Sequence, residues 1–100
     1  MSDFKQRFFG EVEAEVKKVM EEIEESEREI KDLESKIKVE RKMSESDNLK
    51  EEIAEDIKYS VQALESMLLM EENRKAELER GFEMARLRKE TIKKFEEVEL

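Results

Sequence analysis

The sequence predicts an all-α protein, a long antiparallel two-helix hairpin of the coiled-coil type, and three observations carry that prediction. Turn-forming residues are scarce: the 100 residues include two glycines and no proline, and tight turns draw mainly on Gly, Pro, Asn and Asp. Charged residues make up 49% of the chain, and a surplus of Glu, Lys, Arg, Leu and Ala is the composition of long helices. Apolar residues, finally, return every three or four positions, the period of a coiled-coil seam. That periodicity decides between folding and disorder, because high charge with low hydropathy also describes unfolded chains. The expected layout is one domain over residues 1–100, with helix 1 over about 3–42, a turn over about 43–48 and helix 2 over about 49–97.

Helix 1 has the clearest pattern. Phe9, Val16, Ile23, Ile30 and Ile37 form one column of a heptad, and every member is apolar. The companion column is Val12, Val19, Ser26, Leu33 and Glu40, so the seam contains two polar positions. Lys38, Arg41 and Lys42 then suit the negative end of a helix dipole.

The turn follows at Met43–Asn48, where Ser44, Ser46, Asp47 and Asn48 are candidate N-caps. Asn48 and Glu51 have the spacing of a capping box. Glu51, Glu52, Glu55 and Asp56 suit the positive end of helix 2. A loop this short makes the neighbouring helices antiparallel. The other reading of this stretch is one continuous helix with a polar patch.

Helix 2 has a looser seam: Ala54, Ile57, Val61, Leu64 and Leu68, then Leu78, Phe82, Ala85 and Ile92. Glu71, Lys75 and Lys89 occupy seam positions, so either the helices splay there or those charges pair across the interface. Centring the turn near residues 45 and 46 gives a ruler for opposed positions. It sets Gly10 level with Gly81, Phe8 and Phe9 level with Phe82, and Met67–Met70 level with residues 21–24. Two level glycines suggest a close crossing or a bend; two unrelated tolerated glycines are the other reading.

Met67, Leu68, Leu69 and Met70 form the candidate association surface. Four consecutive helical residues point around most of the circumference, whereas one partner helix buries a stripe. Met67 and Leu68 are expected to contact helix 1, leaving Leu69 and Met70 in water, and a contiguous exposed apolar surface marks an association site. A second hairpin covering it would complete a four-helix bundle, so a homodimer is the favoured assembly. Methionine adapts to varied partners, so a foreign helical protein is the second expectation for the same surface.

The segment around Arg86, Arg88, Lys89, Lys93 and Lys94 is basic in a chain of formal net charge −9. It is the candidate anion-binding site and supports an alternative function, nucleic-acid association through residues 86–94. Its competing reading is a solvated face or a contact with the acidic run Glu21–Glu29 of another subunit. The chain has neither His nor Cys, which removes the usual general base, the thiolate nucleophile and the soft metal ligands. No enzyme, catalytic residue, metal or cofactor is expected.

No apolar run reaches the roughly 20 residues of a membrane span, and Phe4, Phe8 and Phe9 beside Lys5 and Arg7 more often staple a bundle end than bind lipid. A cytoplasmic home is expected from the lack of cysteine and of a signal segment. The high Glu and Lys content resembles thermophile usage. The expected role is a non-catalytic, self-associating structural, scaffold or adaptor protein working through helix–helix contacts.

Overall fold

The computed structural model describes residues 2–96. It is all-α: helix α1 spans Ser2–Ser44, helix α2 spans Glu51–Glu96, and a short loop joins them in a hairpin. The expected end of helix 2 near residue 97 lies outside the described residues. The chain divides into two compact units, one of residues 1–24 with 76–100 and one of Glu25–Lys75.

In the loop-containing unit the seam of α1 is Ser26, Ile30, Leu33, Ile37 and Glu40, all buried or half-buried. Leu33 is its most enclosed apolar side chain, at 2% exposure. From α2 it meets Ala54, Ile57, Val61, Leu64 and Leu68, which are likewise covered. The same heptad continues through Glu71 and Lys75, both half-buried.

The seam charges pair instead of splaying the helices. Ser26, with no exposed surface, donates its hydroxyl hydrogen bond to Oε1 of Glu71 at 2.9 Å. Nη1 of Arg74 donates to the same oxygen at 2.7 Å. Lys75 lies 3.6 Å from Glu27, and Ser60 donates to Glu40 at 3.1 Å. The two polar positions of the α1 seam thus meet polar side chains of α2, and no buried side-chain donor or acceptor is left without a partner among the described residues. A buried polar group that is satisfied costs little; an orphaned one would cost about 1–3 kcal/mol.

These pairs correct the ruler. It would have set Ser26 level with Glu65 and Glu40 level with Glu51, whereas their partners are Glu71 and Ser60. The loop accounts for part of the shift: it uses Glu45–Lys50 and so turns later than the centre near residues 45 and 46. Ser44 still belongs to α1 and donates to the carbonyl of Arg41 at 2.6 Å. Asn48 has φ 63°, the left-handed conformation that asparagine tolerates better than most residues. Hydrogen bonds from Ile53 N–H at 3.0 Å and Ala54 N–H at 2.9 Å to the Lys50 carbonyl make Lys50 the N-cap residue, directly before α2. Asn48 therefore turns the chain and does not stand at the N-cap position of a capping box.

The other unit has its own seam. Phe9, Val12, Val16, Val19 and Ile23 of α1 are covered, as are Leu78, Phe82, Ala85 and Ile92 of α2. Lys89 is half-buried at the seam and lies 3.3 Å from Glu13, where the ruler would have set Glu13 level with Leu78. Of the two readings of the glycines, the structure supports two unrelated tolerated positions. Gly10 and Gly81 are both exposed, and a Cβ added at either would meet nothing within 4 Å. Phe4 and Phe8 stack on one another, ring centres 6.1 Å apart, and both remain exposed.

Candidate association surface

Met67–Met70 lies on α2 between Ser60 and Glu71, beside the α1 stretch that runs from Ser26 to Glu40. Leu68 turns into the seam and is half-buried. The other three are exposed, Met67 at 51%, Leu69 at 61% and Met70 at 71%. Met67 departs from expectation: it precedes the seam residue Leu68 by one position, and a step of about 100° carries it off the contact stripe.

The surface extends beyond these four residues. Between Lys58 and Glu71 the chain has a single charged residue, Glu65, although half of all its residues are charged. Glu65 forms an ion pair with Arg41. Tyr59, Gln62, Ala63 and Ser66 are exposed with the methionines, so about three turns of α2 show water a surface almost free of charge. A solvated helical face in so charged a protein would be expected to carry several ions; this one carries Glu65 alone. The signal that could have located it was the drop in local charge, not the apolar run.

The basic segment is partly neutralised by its own surroundings. Nη1 of Arg86 donates to Glu90 at 2.7 Å and its Nε to Glu83 at 3.3 Å. The hydrogen bond from Arg86 holds the Glu83 carboxyl below the ordinary glutamate range, and Glu83 in turn holds the guanidinium above its ordinary value. Lys89 points to Glu13. Arg88 borders a shallow groove with Glu15, Gly81, Met84, Leu87 and Thr91, while Lys93 and Lys94 are exposed.

Among the described residues no group of three or more acidic side chains is placed to hold a metal ion, and no helix is long and apolar enough to cross a membrane. Comparison with protein-family models, curated proteins and solved structures gives no match.

Proposed function

We propose that this chain is a non-catalytic helical hairpin that self-associates and serves as a structural, scaffold or adaptor module through helix–helix contacts. One observation carries the reading: the uncharged, apolar surface that Met67, Leu69 and Met70 present to water on a protein of net charge −9. Exposed apolar area of this kind marks contact sites in soluble proteins, and a second hairpin would cover it in a four-helix bundle. The nucleic-acid alternative draws less support, because Arg86 and Lys89 already sit against carboxylates of their own chain.

The test is mass in solution, by sedimentation, for the natural chain and for Leu69→Glu/Met70→Glu. An uncompensated charge in an apolar interface costs several kcal/mol, against about 8 kcal/mol for a whole micromolar complex. The double variant is expected to lose assembly mass and keep its helical circular dichroism, since glutamate is nearly as good a helix former as methionine. A natural chain that stays monomeric at high concentration would refute self-association.

A further inference from the structure

Helix α2 carries a second stripe beside its seam. Asp56, Ser60, Ala63, Met67, Met70 and Arg74 follow one another in alternating steps of four and three along the helix. This is coiled-coil spacing again, displaced around the helix from Ile57, Val61, Leu64 and Leu68, which face α1. Ser60 is half-buried by its bond to Glu40, and the other five are exposed. The middle of the stripe is uncharged, and its ends have opposite signs. Asp56 stands at one end. Arg74 stands at the other, where its guanidinium rests on Glu71 of the same helix.

We infer that this stripe is the contact between two copies of the chain, with α2 packed antiparallel on α2 of the second copy about a two-fold axis level with Ala63 and Met67. The inference rests on the self-association proposed above and adds its surface, direction and register. In an antiparallel pair read along this stripe, Met67 lies over Ala63 of the second copy and Met70 over Ser60 of the second copy. A large flexible side chain meets a small one at each layer, which is how facing helices interdigitate. Asp56 then faces Arg74 of the second copy at both ends. A guanidinium has five donors, so Arg74 can hold Glu71 and a second carboxylate together.

Charge also argues for a second copy as the occupant. Two chains of net charge −9 repel through their acidic faces. A two-fold contact sets a patch against itself, so it needs a surface that is neutral or opposite at its two ends. This stripe is both. Parallel packing would bring Asp56 onto Asp56 and Arg74 onto Arg74. A single pair of helices over about 27 Å falls at the small end of specific interfaces, so the expected dimer is reversible.

The chain has no cysteine, so single introduced cysteines report proximity without background. Ser66 is exposed beside the stripe near the axis, while Tyr59 and Asn73 flank it at either end. Oxidation of S66C is expected to give covalent dimer. Y59C alone and N73C alone are expected to stay monomeric on denaturing gels, and a mixture of the two to cross-link. Met70→Glu should weaken dimerisation by about 100-fold or more, whereas Leu69→Glu, off the stripe, should change it by less than about threefold. Self-cross-linking at all three positions would mean parallel packing and overturn the inference. A chain that is dimeric by mass, yet cross-links through S35C on α1 and not through S66C, would overturn it too while leaving self-association standing. A natural chain monomeric at every concentration would end both.

Discussion

Leu33 and Glu34 are neighbours in the chain and opposites in the fold. Leu33 is enclosed in the seam, and Glu34 is exposed. Leu33→Ala is expected to lower stability by about 2–5 kcal/mol, and Glu34→Ala by less than about 0.5 kcal/mol; denaturant unfolding of both variants checks the register. Glu71 offers a second residue-scale test. Its carboxyl is held below the ordinary value of 4.5, first by the hydrogen bond from Arg74 and then by that from Ser26, with burial opposing. A carboxyl lowered in the folded state contributes stability that is complete above its unfolded value and is lost as pH falls through the folded one. Stability measured from pH 7 downward should therefore drop below about 4.5, and Glu71→Gln should flatten that part of the curve. An unchanged slope would mean that other carboxylates set the acid limit.

At the scale of elements, the loop and the polar layer decide how α1 meets α2. Asn48 occupies the left-handed region, where a β-branched residue is strained by roughly 1–2 kcal/mol. Asn48→Val should lower the melting temperature, while Asn48→Gly should leave it within a degree or two of the natural chain. The Ser26–Glu71 layer interrupts two otherwise apolar seams, an arrangement known to fix register in coiled coils. Replacing both residues by leucine should raise thermal stability, since a buried polar pair is often outdone by apolar packing. Each single replacement should lower it, and a double-mutant cycle by thermal unfolding measures the coupling. Additive effects would show that the pair does not act as a unit.

For the whole molecule, charge sets the sign of every association. A homotypic contact through a stripe that is uncharged except at its two ends must overcome repulsion between two chains of net charge −9, and salt screens that repulsion over about 10 Å at 0.1 M. Raising salt from 0.05 to about 0.5 M should therefore strengthen the dimer, as read by sedimentation equilibrium. Binding to nucleic acid through Arg88, Lys93 and Lys94 would respond the other way, weakening steeply with salt. The two functional readings thus predict opposite slopes.

Helicity was legible from the sequence because it depends on local composition and period. The apolar column Phe9–Val16–Ile23–Ile30–Ile37 and the scarcity of turn residues required long helices that bury one stripe. The exposure of Leu69 and Met70 was legible for the same reason, since one partner helix covers one side of another. Register was not. It depends on where the chain reverses, and the left-handed Asn48 in a loop that runs on to Lys50 put that point later than the centre near residues 45 and 46. The role of the seam charges also waited for the fold. Glu71, Lys75 and Lys89 look like flaws in a heptad until Ser26, Glu27 and Glu13 are set against them, because a hydrogen bond between residues far apart in the chain leaves no trace in the spacing of either one.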